Sequence, residues 1–317
     1  MITPQSRPSG RGCRPGPASL QSNALPLLQV QNLQKSFAGR SVVGGVSFHV
    51  DASEIVGLLG RNGAGKTTSF RMTIGMIEAD AGKVVFDGKD ISDLPMYQRA
   101  RLGMGYLSQE PSVFTRLTCE QNLLAILETL PLSRQERRDR AGELLDQFGL
   151  THKAKQQART CSGGERRKLE IARALVTDPK LILLDEPFSG VDPIAVEDLQ
   201  REIKALSRRG IACLITDHNV QQTLRVCDRA CIIDEGKLFA QGTPRELVKD
   251  DMVKRVYFGG LFRGDEFDDL PAGPGGSGGA GGSGGAGGLG VGGGGPSARN
   301  GTHTPGKAPG DSILSRR

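Results

Sequence analysis

Two short stretches of this 317-residue chain carry most of its chemistry. Gly60-Arg61-Asn62-Gly63-Ala64-Gly65-Lys66-Thr67 follows the spacing GxxxxGK[ST]. Its glycines allow backbone N–H groups to curl around a β-phosphate. Lys66 would reach the β- and γ-phosphates, and the Thr67 hydroxyl would ligate Mg²⁺. A helix starting after Gly65 would aim its positive dipole end at the same anion. The second stretch is Leu181-Ile182-Leu183-Leu184-Asp185-Glu186. A buried strand would deliver Asp185 to its carboxyl end, where it can hold Mg²⁺ through water. Glu186 would then polarise an attacking water as general base. Alone, an apolar run ending in Asp-Glu reads better as a solvated strand end. Downstream of a phosphate loop it is the second half of a site that binds and hydrolyses ATP with Mg²⁺.

These groups need elements to hold them. Residues 28–37 and 42–50 alternate like paired strands, and 54–60 is a short apolar run entering the Gly-rich turn. A helix is expected over 65–77, a strand over 83–91 and a short strand over 105–108. Residues 118–129 and 133–148 have helical periodicity and together read as a helical insertion. A helix over 163–177, the strand 181–184, a helix over 193–209 and the strand 211–216 follow. A hairpin over 229–241 turns at Glu235-Gly236, and Thr243 is the expected N-cap of a helix over 243–248. Apolar strands alternating with amphipathic helices indicate an α/β fold around a mostly parallel sheet. No internal repeat is visible.

Composition limits the partners. Residues 1–26 are rich in Pro, Ser, Gly and Arg, and residues 271–310 hold 19 of the 45 glycines. Such segments bury too little apolar surface to offset their ordering entropy, so 1–26 and 262–317 are expected to be disordered. The foldable part is then 27–261. Half of the formal charge of +6 sits on Arg7, Arg11 and Arg14. With no Trp and scattered cations, nucleic acid is not an expected partner. No apolar run approaches the ~20 residues needed to span a bilayer. The six cysteines include no CxxC pair and read as reduced thiols, with Cys213 and Cys231 inside buried strands.

Residues 27–261 resemble the ATP-binding cassette (ABC) family. The distinguishing element is Cys161-Ser162-Gly163-Gly164-Glu165, which matches the family signature LSGGQ with Cys for Leu and Glu for Gln. Ser-x-x-Glu is also a capping box, and both readings can hold at once. The resemblance implies a P-loop NTPase fold with a RecA-like core, an antiparallel β subdomain and a helical subdomain at about 110–164. It implies that Ser162, Gly163 and Gly164 bind the γ-phosphate of ATP held by another subunit. It gives Gln109 the role of the Q-loop glutamine at Mg²⁺ and the attacking water. Ser189-Gly190-Val191-Asp192 becomes the D-loop, with Asp192 crossing a dimer interface. His218 becomes the switch histidine at the γ-phosphate, and Phe37 the ring stacked on adenine. The nucleotide is then cradled by Gly60, Arg61, Asn62, Gly63, Ala64, Gly65, Lys66, Thr67 and Thr68.

Within the family the sequence is most similar to the ATPases of lipopolysaccharide export. The motifs carrying this are SGGERRKLEIARAL from Ser162, LLDEPFSGVDP from Leu183, LITDHNV from Leu214, Gly242-Thr243-Pro244 and Val253-Lys254-Arg255-Val256-Tyr257. Ser108 and Thr115 depart from the usual Pro and Arg. The resemblance implies a homodimer under two integral membrane subunits, peripheral on the cytoplasmic face of the inner membrane. Those subunits are expected to dock in a groove formed partly by Pro111, Val113, Phe114 and Leu117, with Phe114 foremost. Branched-chain amino acid importers use similar cassettes. A soluble cassette ATPase of translation or iron–sulfur assembly is a different class; the translation factors carry two cassettes where this chain has one. A regulatory ATP-binding module without turnover is disfavoured by Glu186 and His218.

Overall fold

Runs of Val, Ile and Leu unbroken by polar residues can be satisfied only where both faces are covered, and they form the centre of this molecule. The computed structural model describes residues 25–259 and Phe267. The strands are β1 (Leu28–Phe37), β2 (Arg40–Val50), β3 (Ile55–Gly60), β4 (Ala81–Phe86), β5 (Lys89–Asp90), β6 (Met104–Leu107), β7 (Leu181–Asp185), β8 (Ala212–Thr216), β9 (Arg229–Asp234) and β10 (Lys237–Gly242). A six-stranded sheet runs β10-β9-β3-β8-β7-β6, parallel except for the β9–β10 hairpin. Every residue of β3, β7 and β8 is buried. A second sheet, β2-β1-β4-β5, is antiparallel throughout.

The helices are α1 (Lys66–Ile74), α2 (Met96–Arg101), α3 (Cys119–Leu127), α4 (Arg134–Gln147), α5 (Gly163–Ala174), α6 (Pro193–Arg208), α7 (Val220–Val226) and α8 (Pro244–Lys249). Capping boxes start α3 at Thr118, α4 at Ser133, α5 at Ser162 and α8 at Thr243. Each satisfies two backbone donors that the helix start would leave orphaned. Helices α3 and α4 pack through Leu123, Leu127, Leu144, Leu145 and Phe148, in one apolar cluster with Cys161 and Leu169. The insertion is thus continuous with the helix that follows the signature.

Three expectations differ from the structure. The strand expected over 83–91 is a hairpin, because Asp87 and Gly88 both take positive φ (49° and 73°), a primed turn that reverses the chain. Helices α2 and α7 were not anticipated; each is under eight residues, too short to show a helical period. The chain beyond α8 also continues into helical turns, Asp251–Val253 and Lys254–Phe258.

The expected disordered ends lie outside the described residues, except Leu25, Pro26 and Phe267. Phe267 falls within the expected tail yet is only 3% exposed, in a cluster with Leu59, Leu247, Val253 and Phe258. A lone aromatic in an acidic stretch has no periodicity to announce it. Phe267→Leu should lower stability by about 1–2 kcal/mol through lost apolar burial, which a urea melt would measure.

Candidate functional site

The phosphate loop is positioned by β3 and α1. Gly65 sits at φ +98°, and a Cβ there would lie 2.8 Å from the Val42 carbonyl oxygen, so only glycine fits the turn. Helix α1 begins with neither a side-chain cap nor an acidic residue. Its first N–H groups and dipole end are therefore left for an anion. Lys66 Nζ donates to the Gly60 and Arg61 carbonyls at 2.6 and 2.9 Å. Burial lowers its pKa from the usual lysine range, and Glu186 opposes that shift.

A cleft lined by Val42, Asn62, Gly63, Gly65, Lys66, Thr67, Thr68, Glu186 and His218 opens over this loop. Glu186 is turned into it by its backbone, which leaves β7 at φ +47° and donates its N–H to the Thr216 carbonyl at 2.7 Å. Its carboxylate accepts a 2.8 Å hydrogen bond from Gln109 Nε2 and lies 3.4 Å from His218 Nδ1. The sequence thus separates Gln109, Glu186 and His218 widely, and the fold puts them on one carboxylate. Behind them Asp217, 1% exposed, accepts from the Phe188 and Asn219 N–H groups at 3.0 and 2.8 Å. It ties the turn after Glu186 to the residue beside His218.

Asp185 is 2% exposed, and burial pushes its carboxyl above the usual range while Arg71 opposes and Glu186 adds to the shift. Tyr106 donates to it at 3.4 Å, and burial raises the phenol to about 12. Among the described residues no group of three or more His, Cys, Asp or Glu could hold a metal ion. The oxygens of Thr67 and Asp185 nevertheless fit Mg²⁺, which characteristically takes one or two protein ligands and completes its shell with water and substrate phosphates.

Other expected site residues do not line the cleft. Phe37 is 46% exposed on the β1–β2 hairpin, with Lys35 Nζ 5.7 Å from its ring centre. Gly60, Arg61 and Ala64 are absent from the lining, Gly60 and Ala64 buried and Arg61 exposed. Ser162, Gly163, Gly164 and Asp192 are absent from the lining. Ser162 Oγ accepts the Glu165 N–H at 3.2 Å, and Glu165 accepts the Ser162 N–H at 2.8 Å. The Ser162 hydroxyl also faces the Glu165 carboxylate, which its hydrogen bonds help to hold below the usual range. A Cβ on Gly164 would lie 2.7 Å from Ala195 Cβ, so this glycine lets α5 approach α6.

Besides Asp217, a second residue at the site was not anticipated. Arg167, on α5, is 7% exposed. Its guanidinium donates to the carbonyls of Asp185 (3.0 Å), Glu186 (3.2 Å), Pro187 (3.3 Å) and Ser108 (2.9 Å), and to Glu170 Oε2 at 2.9 Å. Glu170 in turn accepts the Ser112 N–H at 2.8 Å. One buried ion pair thus joins the signature helix to the segments on both sides of Gln109 and to the turn that carries Glu186.

Residues 43–189 match the family model described as ABC transporter. The chain is 53% identical over 240 residues to the lipopolysaccharide export system ATP-binding protein LptB of Haemophilus influenzae, covering 75% of this chain and 100% of that protein. The chain belongs to the ATP-binding proteins of ABC transporters. The Escherichia coli K12 protein of the same description shares 53% identity with this cassette ATPase over 240 residues, with the same coverage. A solved structure of the ADP conformation of MJ1267, an ATP-binding cassette of an ABC transporter, is similar to it with a TM-score of 0.68 and 29% identity, covering 74% of this chain and 100% of that one. The cassette binds nucleotide and hydrolyses ATP, on an α/β P-loop fold. No described helix is long and apolar enough to cross a membrane.

Proposed function

We propose that this cassette powers lipopolysaccharide export as a homodimer beneath two integral membrane subunits, on the cytoplasmic face of the inner membrane. The observation that carries the export reading is the 53% identity to lipopolysaccharide export ATPases over their full length. The dimer reading is supported by a nucleotide cleft whose lining lacks Ser162, Gly163, Gly164 and Asp192. A second copy, head to tail, would supply them.

In this reading the loop from Gly60 to Thr68 cradles the phosphates, Lys66 neutralises the β/γ oxygens, and Phe37 stacks on the base. Thr67, Asp185 and Gln109 hold Mg²⁺, which when bound neutralises charge developing on the phosphates. Glu186 takes the proton of the attacking water. His218 stands 3.4 Å from that carboxylate, close enough to orient it and to meet the γ-phosphate. Gln109 hydrogen-bonds Glu186 at 2.8 Å and so links the base to the segment that follows it. Ser162 of the second copy turns its hydroxyl from Glu165 to donate to the γ-phosphate. Closure of the dimer on ATP drives the membrane subunits, and hydrolysis resets them.

The docking contact is assigned to Phe114. Of the apolar set after Gln109, Val113 is buried in the helical cluster, whereas Phe114 is 50% exposed. Its backbone is held: the fully buried Asn122 accepts the Phe114 N–H at 2.8 Å and donates to its carbonyl at 3.0 Å. Arg173 lies over the ring at 4.7 Å. An exposed aromatic on a fixed backbone suits a helix-in-groove anchor. Phe114→Ala should change stability by less than about 1 kcal/mol and spare the ATPase of the isolated subunit, while abolishing capture of the membrane subunits in mild detergent. Intact capture and intact transport would reject this contact. Identifying the captured membrane subunits and their bound lipid by mass spectrometry tests the export reading itself; subunits of an importer would overturn it.

A further inference from the structure

The motif Val253-Lys254-Arg255-Val256-Tyr257 takes no part in the chemistry above, yet the fold brings it onto the phosphate loop. The Tyr257 hydroxyl accepts the backbone N–H of Gly60 at 3.0 Å. The Val256 carbonyl accepts a hydrogen bond from the Arg61 guanidinium. The preceding residue, Leu59, is fully buried in the cluster that also holds Val253, Phe258 and Phe267. Three consecutive residues at the entry to the loop are therefore gripped from one side by the segment 253–258 and Phe267. From the other side Lys66 Nζ holds the Gly60 and Arg61 carbonyls.

The arm making this grip is itself built to hold a shape. Asp250 caps it, accepting the Met252 and Val253 N–H groups at 2.8 and 3.1 Å. The Gly259 N–H closes on the Lys254 carbonyl at 2.6 Å. The Tyr257 and Phe258 rings pack with centres 5.2 Å apart. Burial raises the Tyr257 phenol to about 12, with the Gly60 hydrogen bond opposing.

We propose that Tyr257 is a positioning residue for the nucleotide site: it fixes the Leu59–Gly60 peptide at the entry to the loop while the Val256 carbonyl holds the Arg61 side chain, and the arm Asp250–Phe258 must be docked for the phosphate loop to hold nucleotide at full affinity. Backbone N–H groups bind phosphate well only if their directions are set beforehand. A loop whose entry peptide is free to rotate loses that setting. The arm follows the last helix of the cassette, so anything that lifts it, such as a partner pulling on the C-terminal segment, would loosen nucleotide binding from outside the cleft. This role rests on the nucleotide-site reading proposed above.

The test uses the full chain, with Mg²⁺-ADP as the probe in titration calorimetry. Tyr257→Phe keeps the ring and removes the acceptor, and should raise the ADP Kd about tenfold, as expected when a largely buried N–H loses a partner. The KM for ATP should rise in parallel with kcat within about twofold, and amide exchange should quicken over residues 58–66. Asp250→Ala, at an exposed cap far from the loop in sequence, should raise Kd in the same direction by a smaller factor. It carries the test if Tyr257→Phe does not fold. An ADP Kd unchanged in both variants, with only the melting temperature lowered, would overturn the positioning role. Lys66→Ala separates the two readings. If it weakens ADP binding while Tyr257→Phe does not, the positioning role alone fails. If Lys66→Ala also binds normally, the nucleotide site itself is misplaced.

Discussion

Glu186→Gln leaves nucleotide binding intact and lowers turnover by about 10²–10⁴-fold, the usual worth of a general base. The amide has the shape of the carboxylate and can keep one hydrogen bond with Gln109, now 2.8 Å away. It cannot accept the proton of the attacking water. Its backbone is fixed independently of its side chain, by the 2.7 Å bond to the Thr216 carbonyl and by Arg167 at the Glu186 carbonyl. The variant therefore keeps the cleft and loses only the base. ATP-bound dimers should accumulate, visible as a shift in size-exclusion elution with Mg²⁺-ATP that is absent with ADP. Single-turnover hydrolysis at the wild-type rate would remove Glu186 from the base role.

What was legible in the sequence was what is contiguous along it. The phosphate loop, the β7 end and the signature are each a handful of neighbouring residues, so spacing alone names them. Strands β3, β7 and β8 were legible because fully covered strands must be apolar throughout. The caps at Ser162 and Thr243 were legible because a capping box is a local pattern. What escaped is the set of side chains that bond backbone carbonyls and amides far away. Arg167, Asp217 and Asn122 each organise a turn around the site, and none has a sequence mark that names its partners, since any residue's backbone can be the partner. Tyr257 escaped for the same reason: its partner is the N–H of a glycine 197 positions earlier. Arg167 did leave one trace, a Glu three residues on within a helix, but that spacing is common on solvated helix faces. Only burial distinguishes this pair, at 8% and 4% side-chain exposure.

That burial makes Arg167 the second site of large effect. Arg167→Met keeps the apolar stem and removes all five hydrogen bonds from the guanidinium. It strands Glu170 as a buried carboxylate without its cation, a loss that costs about 3–5 kcal/mol. The Tm should fall accordingly, and turnover should fall with it, because the segment leading into Gln109 and the turn bearing Glu186 lose their shared tether to α5. Stability and catalysis can be separated by also removing the stranded charge. In Arg167→Met/Glu170→Gln the buried anion is gone, and deleting both partners of a pair costs less than deleting one. The double variant should regain much of the lost Tm. Its kcat should nonetheless stay low, since nothing then fixes the Ser108, Asp185 and Glu186 carbonyls relative to the signature helix. Measuring Tm and kcat on the two singles and the double gives the coupling energy directly. A double variant that recovers wild-type kcat along with its Tm would show that the pair serves packing alone. A low kcat at restored Tm places in Arg167 the link through which the signature helix, gripping ATP on a second copy, would govern Gln109 and the base.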